Sequence, residues 1–263
     1  MNFVKPEVTR KAKVYLVGAG PGDPELITMK AVRCIREADV VLYDRLVNEE
    51  LLTYAKPDAV LLYCGKSPGR HAMTQRQIEA LLIEHALGGR TVVRLKGGDP
   101  LVFGRGGEEA LALAERGIPC EIVPGVTSAL GAAASSRIPL THRDLAASFA
   151  VVTGNRCRED AAPIRWDLLA HGVDTLVVYM GIGRLEEIRA ELLRHGKPPS
   201  TPVALIERGT TDRQRVVTGE LAHIHRLAEA MRIGNPALIV IGDVVLVREQ
   251  LLLLEAQARL AIG

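Results

Sequence analysis

One local order recurs along the chain: a short apolar run, a glycine-rich turn, and then a segment with helical periodicity. Residues 13–17 and 91–95 are two such runs, and both are rich in β-branched or apolar residues and lead into glycines. Runs of this kind predict buried strands, and their alternation with helices predicts mostly parallel sheets covered on both faces. The repeated order therefore indicates an α/β protein.

This alternation of predicted strands, glycine-rich turns and helices occurs in both halves of the chain. It predicts two α/β domains, at residues 1–136 and 137–263. Residues 138–144 are the expected joint, and a chain of 263 residues is long enough for two domains. We expect mostly parallel or mixed sheets, with an active-site cleft between the domains. In the second half, residues 214–218 predict a strand that pairs antiparallel with residues 203–207.

Capping residues predict where two of the helices begin. Asp23, followed by a proline and a glutamate, suits the start of a helix over residues 25–37. Thr74 suits the start of a helix over residues 75–87.

The end of the chain is strongly apolar. Residues 238–246 predict a strand, and residues 248–260 predict a leucine-rich amphipathic helix. That helix can pack on the body of the protein or on a second subunit.

Composition argues against several classes of protein. Hydrophobic residues make up 48% of the chain, so it can bury a core and is not disordered. Aromatic residues make up only 3% and the formal net charge is +2, which argues against a nucleic-acid partner. No uncharged apolar run reaches the roughly 18 residues of a membrane span, and the charged residues 1–13 are not a signal peptide. We therefore expect a cytoplasmic protein with no nucleic-acid or membrane partner.

The four cysteines predict reduced thiols. Cys34, Cys64, Cys120 and Cys157 are far apart in sequence, and none forms a C-x-x-C pair. The seven histidines show no metal-ligand spacing. We expect no metal.

The turn at residues 18–22 resembles a dinucleotide-binding fingerprint but departs from it. Asp23 stands at the third glycine of G-x-G-x-x-G, and Pro21 stiffens the turn. A carboxylate at that position disfavours a pyrophosphate. A nicotinamide-dependent oxidoreductase is therefore a weak alternative, in which Asp44 would be the only stand-in for the acidic ribose ligand.

Residues 94–109 form a glycine-rich loop that can bind a ligand. Gly97 and Gly98 follow a predicted strand and leave the backbone open, while Asp99 and Arg105 add a carboxylate and a guanidinium. In parallel sheets this loop would lie beside the other glycine-rich loops, at the carboxyl ends of the strands. A tight strand-to-helix loop with a charged rim explains the same residues, and residue types alone leave both interpretations open.

Eight motifs follow one another in an order specific enough for comparison with known families. They are VGAGPGDPELIT (17–28), YDRLV (43–47), GK-x-PGRH-x-x-x-Q (65–75), RLKGGDP-x-VFGRGGEE (94–109), VPGVTSA (123–129), IPLTHR (138–143), VVTG (151–154) and VVYMG (177–181). Together, over about residues 13–247, they resemble the tetrapyrrole methylases. The motifs YDRLV, GK-x-PGRH, FGRGGEE and IPLTHR favour the branch of that family that acts on uroporphyrinogen III.

The resemblance implies an S-adenosylmethionine-dependent methyl transfer. The implied reaction places methyl groups on C2 and C7 of uroporphyrinogen III, giving precorrin-2 through precorrin-1, with S-adenosylhomocysteine as the second product. It also implies a homodimer. Another methylase of the same fold, acting on a later corrinoid, on diphthamide or on ribosomal RNA, is the nearest alternative, and a non-catalytic tetrapyrrole carrier is another.

The resemblance also implies residues that bind the methyl donor. They are Pro21, Gly97, Gly98, Asp99, Val102, Thr127, Ser128, Met180, Ala204 and Ala237. Glycine and alanine would let the donor approach backbone amides and carbonyls, and Met180 would offer an apolar wall. Taken singly, Val102, Ala204 and Ala237 are better explained by core packing.

The implied substrate carries eight carboxylates, which suit recognition by arginine. The candidate substrate ligands are Arg45, Arg105, Arg143, Asn155 and Met180. Arg105 is functionally central by resemblance, yet a guanidinium keeps its proton above pH ~12 and so does not accept one. We therefore expect Arg105 to orient a carboxylate, while Glu108 or Asp44 accepts the proton that the methylated pyrrole loses.

Three positions depart from the family pattern. Ser67 replaces a usual basic residue, Leu101 a common phenylalanine, and Asn155 a usual histidine after Thr-Gly. Asn155 keeps a hydrogen-bond donor but lacks a titratable charge. We expect this change to affect substrate affinity and not the reaction type.

Overall fold

The computed structural model describes residues 13–65, 73–155 and 164–262. The chain divides into two compact units, residues 1–127 (unit 1) and 128–263 (unit 2). Each unit is built on one five-stranded sheet. The α/β fold predicted from the sequence, with parallel and mixed sheets, is confirmed.

Unit 1 contains a parallel sheet. Its strands are β1 (Val14–Gly18), β2 (Val40–Tyr43), β3 (Val60–Tyr63), β4 (Val92–Lys96) and β5 (Cys120–Val123). Their order across the sheet is β3-β2-β4-β1-β5, and each neighbouring pair is parallel. Its helices are α1 (Met29–Glu37), α2 (Gln75–Leu87) and α3 (Gly106–Ala114), with 3-10 helices at Pro24–Leu26 and Glu49–Tyr54. Because the strands run the same way, their carboxyl ends lie at one edge of the sheet.

Alternate residues of the central strands fill the two faces of this sheet. Val17 and Leu95 pack with Ile35 of α1 on one face, whereas Leu16 packs with Leu82 of α2 on the other. Each of these fully buried side chains contributes about 1.5–3 kcal/mol to folding. Both faces are therefore covered by helices, as the continuous apolar character of the strands predicts.

The first predicted helix is shorter than expected. Asp23 caps only the 3-10 helix, where its Oδ1 accepts a hydrogen bond from the Glu25 amide at 2.9 Å. The backbone is then extended at Thr28, whose Oγ1 accepts from the Ala31 amide at 3.2 Å, so α1 begins at Met29. The cap at Thr28 thus starts a separate helix, and the predicted single helix over residues 25–37 is wrong at its beginning. The prediction for α2 is confirmed, because Thr74 forms a capping box at its start.

Unit 2 contains a mixed sheet. Its strands are β6 (Phe149–Thr153), β7 (Thr175–Tyr179), β8 (Pro202–Glu207), β9 (Arg215–Glu220) and β10 (Ala237–Ile241). Their order is β6-β7-β10-β8-β9; only the β6–β7 pair is parallel. The antiparallel pairing of β9 with β8 confirms the prediction for residues 214–218. The helices are α4 (Ser128–Ser135), α5 (Trp166–Gly172), α6 (Leu185–Arg194), α7 (Ile224–Ala230) and α8 (Val244–Ile262), with a 3-10 helix at Ile182–Arg184.

Helix α4 sets the boundary between the units. The division falls after Thr127, nine residues before the boundary predicted after residue 136. The reason is packing: Ala129 and Ala132 are buried in one cluster with Val177 of β7 and Val240 of β10. The small side chains that predict a helix here also let it lie close to the unit 2 sheet.

The last predicted strand is too long. β10 ends at Ile241, and Gly242 follows with φ +144°. A side chain at Gly242 would meet the Asp174 carbonyl oxygen at 2.5 Å, so the chain turns at a position that requires glycine. Helix α8 then starts at Val244, which is fully buried, so residues 244–246 are helical and not part of a strand.

Candidate functional site

Two glycine-rich turns meet at the carboxyl edge of the unit 1 sheet. Gly20 follows β1 and Gly98 follows β4, and they form an isolated antiparallel bridge. The Gly98 amide donates to the Gly20 carbonyl at 2.6 Å, and the Gly20 amide donates to the Gly98 carbonyl at 3.2 Å. Both glycines have positive φ, +81° and +68°, which other residues rarely adopt. The predicted convergence of these loops is therefore present within unit 1.

A third turn closes against the first two. A side chain at Gly125, which follows β5, would lie 2.3 Å from the Gly98 carbonyl oxygen, and one at Gly18 would lie 2.5 Å from the Gly125 amide nitrogen. A side chain at Gly97 would lie 2.7 Å from Cβ of Leu46. We call residues 18–20, 97–98 and 125 the glycine edge. Backbone atoms approach here because no side chain stands between them.

The Asp99 side chain stabilises the glycine edge by hydrogen bonds to backbone amides. Its Oδ2 accepts from the Gly125 amide at 3.1 Å, and its Oδ1 accepts from the Leu101 amide at 2.8 Å. Each carboxylate oxygen keeps further lone-pair capacity. The side chain predicted to bind the donor therefore also has a structural role, which residue types alone did not indicate.

Arg105 lies in a strained turn at the start of α3. Its φ is +59°, and Gly104 and Gly106 flank it where a side chain would lie 2.7 and 2.5 Å from the Pro100 carbonyl oxygen. The Arg105 guanidinium forms a two-point pair with Glu108, with Nε–Oε1 at 2.9 Å and Nη2–Oε2 at 2.5 Å. Both side chains are half-exposed. Arg105, predicted to orient a substrate carboxylate, and Glu108, a candidate proton acceptor, thus contact each other.

A buried charged cluster lies beneath the edge where Asp44 follows β2. Arg94 and Lys96 occupy alternate positions of β4, and their side chains are only 4% and 5% exposed. Glu109 of α3 is 0% exposed; its Oε1 accepts from Lys96 Nζ at 2.9 Å, from Arg94 Nε at 3.2 Å and from Gln75 at 3.2 Å. Arg94 Nη2 lies 3.5 Å from Oδ2 of Asp44. We call Arg94, Lys96, Glu109 and Asp44 the charged cluster.

Burial shifts the pKa of two groups in and beside the charged cluster, Lys96 and Cys64. The pKa of Lys96 is lowered, first by burial and then by the positive charge of Arg94, while Glu109 acts in the opposite direction. The pKa of the Cys64 thiol, at the end of β3, is raised by burial. We missed Arg94, Lys96 and Glu109 from the sequence. The sequence signal that could have indicated them is the pair of basic residues at alternate positions, 94 and 96, in a segment whose other residues are apolar and typical of a buried strand.

The other predicted residues of unit 1 lie around the same edge. Asp44 is partly exposed, with a side chain 29% accessible, and its Oδ1 accepts from the Leu46 amide at 3.0 Å. Arg45 is exposed, and Pro21, Val102 and Thr127 are half-buried. The structure therefore places the unit 1 candidates at the ends of β1, β2, β4 and β5.

In unit 2, the predicted residues follow different elements. Met180 is exposed directly after β7 with φ +54°, an unfavourable conformation for a residue with a side chain. Asn155 is exposed after β6, and its amide donates to Thr153 Oγ1 at 3.2 Å. Arg143 is exposed, and Ser128 is half-buried at the start of α4.

The two predicted alanines of unit 2 differ in accessibility. Ala204 is 0% exposed in the interior of β8, and its assignment to the methyl donor stays a prediction. Packing explains it, as the sequence already favoured. Ala237 is half-buried at the start of β10.

Some sequence features lie outside the described residues. Ser67, most of the GK-x-PGRH motif and Cys157 are among them. Within residues 13–65, 73–155 and 164–262, Cys34, Cys64 and Cys120 are free thiols. Over those same ranges, no helix combines the length and the apolar character that crossing a membrane requires. That part of the chain also holds no cluster of three His, Cys, Asp or Glu side chains suited to a metal ion.

Comparison with known proteins now decides the family. The sequence profile of the Tetrapyrrole (Corrin/Porphyrin) Methylases matches residues 13–225, well over half of the chain. The chain belongs to the tetrapyrrole methylase family. The resemblance carried by the eight motifs is thereby confirmed.

Individual tetrapyrrole methylases match this one along most of their length. The chain is 55% identical over 233 residues to the uroporphyrinogen-III C-methyltransferase of Priestia megaterium, an alignment covering 89% of this chain and 98% of that protein. It is 54% identical over 233 residues to the enzyme of the same name from Bacillus subtilis (strain 168), covering 89% and 91%.

A solved structure supports the fold. The uroporphyrin-III C-methyl transferase from Thermus thermophilus, complexed with S-adenyl homocysteine, matches with a TM-score of 0.76 at 47% identity. The match covers 89% of this chain and 93% of that one. The assignment of single residues of this tetrapyrrole methylase to donor or substrate stays a prediction.

Proposed function

We propose that this tetrapyrrole methylase transfers methyl groups from S-adenosylmethionine to C2 and C7 of uroporphyrinogen III, giving precorrin-2 through precorrin-1. The observation that carries the proposal is the glycine edge, where three turns approach backbone to backbone at the carboxyl ends of parallel strands. Two relatives that match the chain over 98% and 91% of their own length are named uroporphyrinogen-III C-methyltransferase.

The glycine edge fits the methyl donor. Gly97, Gly98 and Asp99 are half-buried, so backbone groups and one carboxylate reach the surface without bulky side chains. The amino-acid and adenosine parts of the donor offer amino, carboxylate, hydroxyl and ring-nitrogen groups that such a surface can hydrogen-bond. Pro21, Val102 and Thr127 lie around it in unit 1 as further donor ligands.

Besides the buried Ala204, three residues of unit 2 are donor candidates with accessible surface. They are Ser128, Met180 and Ala237. Met180 is the strongest of them, because its left-handed backbone costs on the order of 1–3 kcal/mol and such strain clusters at binding sites. Its exposed thioether side chain is polarisable and can also pack against the substrate.

The substrate carries many carboxylates, and exposed arginines suit them. Arg45 in unit 1 and Arg143 in unit 2 are exposed. Arg105 is paired with Glu108, but an exposed ion pair contributes only about 0–1 kcal/mol, so a substrate carboxylate can take the place of Glu108. Asn155 would add a neutral hydrogen-bond donor.

The chemistry requires alignment and one proton acceptor. The donor supplies a methyl group on a positively charged sulfur; as the pyrrole carbon bonds to that methyl, the C–S electron pair stays on sulfur, and the leaving thioether is neutral. The protein therefore needs no acid for it, but it must hold the two reactants in line, which contributes on the order of 7–11 kcal/mol. The methylated pyrrole is cationic until it loses a proton.

We assign the proton acceptor to Asp44 in preference to Glu108. Asp44 is partly exposed, so its carboxylate is accessible to a bound substrate. It also faces the buried guanidinium of Arg94 in the charged cluster. Glu108 instead has both oxygens engaged by Arg105. Arg105 remains an orienting group, since guanidinium does not give up its proton.

The reaction is tested by product mass. Purified protein is incubated with uroporphyrinogen III and a methyl-labelled donor, and we expect a tetrapyrrole carrying two labelled methyl groups. Donor consumption without a labelled tetrapyrrole, or no consumption, would contradict the proposal. A thermal-shift comparison of S-adenosylhomocysteine with NAD tests the oxidoreductase alternative, and only the former should stabilise the protein.

The acceptor is tested by single-turnover rates with both ligands saturating. We expect Asp44→Asn to slow methyl transfer by about 10²-fold or more, the scale of general base catalysis, and Glu108→Gln to slow it far less. The opposite order would move the role to Glu108. If Arg105→Lys abolishes the step while neither acid variant slows it, the division of roles between Arg105 and a carboxylate is wrong.

We also infer that the protein works in the cytoplasm as a homodimer. The free thiols of Cys34, Cys64 and Cys120 suit a reducing compartment. Exposed leucines at positions 251–254 of α8 offer apolar surface for a second copy. Sedimentation equilibrium of the wild type and Leu253→Glu tests this: we expect a dimer that the substitution weakens, and a monomeric wild type would contradict it.

A further inference from the structure

The charged cluster places charges in the interior of unit 1, where burial favours apolar side chains. Arg94 and Glu109 are almost wholly buried, and withdrawing such charges from water costs more than apolar side chains of the same volume would. Val92, two residues before Arg94 on the same face of β4, packs among apolar side chains, so this face of the strand is otherwise apolar. A buried polar cluster at this place therefore calls for a role other than stability.

The contacts of Arg94 aim its guanidinium in one direction. Nε donates to Glu109 Oε1 at 3.2 Å, and Nη1 donates to the carbonyls of Leu95 at 3.0 Å and Leu42 at 3.4 Å. These partners lie on three elements, α3, β4 and β2. With Nε and Nη1 held, Nη2 is directed at Oδ2 of Asp44, 3.5 Å away.

Asp44 is held from its other side as well. Its Oδ1 accepts from the Leu46 amide at 3.0 Å, so the two carboxylate oxygens face different partners. Asp44 is also the most exposed member of the charged cluster, since Arg94, Lys96 and Glu109 lie below it. The cluster thus connects the interior of unit 1 to a single carboxylate at the carboxyl edge of its sheet.

We propose that Arg94 is a positioning residue for the methyl transfer: held by Glu109, it fixes the orientation of the Asp44 carboxylate that accepts the pyrrole proton. This role rests on the proposed function of Asp44. Lys96 balances the charge, because with Lys96 the cluster has two cations and two anions. A carboxylate held at two oxygens loses little freedom when the substrate arrives, which is where a fixed partner aids catalysis.

The test is a double-mutant cycle with Arg94→Lys, Asp44→Asn and the double variant, read as single-turnover methyl transfer with both ligands saturating. We expect Arg94→Lys to slow the step about 10- to 100-fold, the scale of misplacing a catalytic group, with the affinity for S-adenosylhomocysteine within about twofold of wild type. The double variant should be no slower than Asp44→Asn, within about twofold, because Arg94 acts through Asp44.

The matched control is Lys56→Gln. Lys56 pairs with Asp39 at 2.8 Å near the opposite end of β2, and both side chains are partly exposed. Removing that ion pair should change neither the rate nor the affinity. A loss of rate in this control equal to that of Arg94→Lys would show that the cycle reports general damage to unit 1, and would overturn the proposal.

The remaining outcomes separate the two proposals. If Asp44→Asn keeps the wild-type rate, the proposed role of Asp44 fails. If Asp44→Asn is slow but Arg94→Lys is not, or if their effects multiply in the double variant, the role of Arg94 alone fails. Should Arg94→Lys lose cofactor affinity, Arg94→Gln, whose planar amide can still donate to Asp44, is the second variant. Loss of affinity in both would mean that Arg94 only supports the fold.

Discussion

The two sheets of this protein differ in what their central strands bury. β4, the central strand of unit 1, places Arg94 and Lys96 on a buried face, whereas β10, the central strand of unit 2, buries Leu238, Ile239 and Val240. The unit 1 sheet is parallel, so its strand ends and loops gather at one edge. The unit 2 sheet is mixed, so its strand ends are divided between two edges. The charged cluster and the glycine edge thus both belong to the parallel sheet, whose strands bring their loops to one edge.

The largest expected effect comes from neutralising the buried acid of unit 1. Glu109→Gln would leave Arg94 and Lys96 without their shared carboxylate, and we expect the free energy of unfolding to fall by about 3–5 kcal/mol. Urea unfolding followed by circular dichroism measures it.

The matched variant in unit 2 is Glu207→Gln. Glu207 is also buried, with a side chain 7% exposed, but its partner Arg215 is half-exposed and can return to water. We therefore expect Glu207→Gln to lower the free energy of unfolding clearly less than Glu109→Gln does. Equal costs for the two variants would remove the distinction between the sheets.

A smaller effect is expected at the glycine edge. Gly125→Ala places a methyl group 2.3 Å from the Gly98 carbonyl oxygen, and backbone must move to relieve it. We expect a loss of about 1–3 kcal/mol of stability together with at least about a tenfold loss of affinity for S-adenosylhomocysteine. Calorimetric titration of the ligand and thermal unfolding measure the two.

Gly172→Ala in unit 2 serves as its control. Nothing lies within 4 Å of a side chain added there. Stability and ligand affinity should stay near wild type. If Gly125→Ala binds the ligand normally despite its lower stability, the glycine edge is a packing device and not a binding surface.

The smallest effect is expected from an exposed ion pair of unit 2. The Arg165 guanidinium lowers the pKa of Asp167 to about 2 from 3.8. A lowered carboxyl pKa adds stability above the unfolded value, and that stability is lost as the pH falls from near 3.8 through about 2. Because both side chains are exposed, we expect Arg165→Gln to raise the Asp167 midpoint in an NMR titration without a measurable change in Tm at pH 7. A clear drop in Tm would show that surface pairs matter here as buried ones do.

Much of the fold and part of the site could be predicted from local sequence. The capping box at Thr74 defined α2, and glycines after apolar runs located the turns at 18–20 and 97–98, because these signals act between neighbouring residues. The place of α4 and the end of β10 at Gly242 depended on tertiary packing. An apolar run also looks the same in a parallel and an antiparallel strand, so the direction of β10 was not predictable from its residues.

The charged cluster shows why part of the candidate site escaped prediction. Arg94 and Glu109 are separated by 15 residues in sequence, and each alone is typical of a solvated surface. Only the sheet and α3 bring them together and exclude water. Ala204 shows the converse: the family resemblance assigns it to the methyl donor, and folding buries it fully within β8.

The most direct test of the central claim is a crystal structure of the protein with S-adenosylhomocysteine. We expect the ligand to lie against the backbone of Gly97 and Gly98 and within hydrogen-bonding reach of Asp99. A well-ordered ligand bound elsewhere, with those three residues in contact only with solvent or protein, would contradict it.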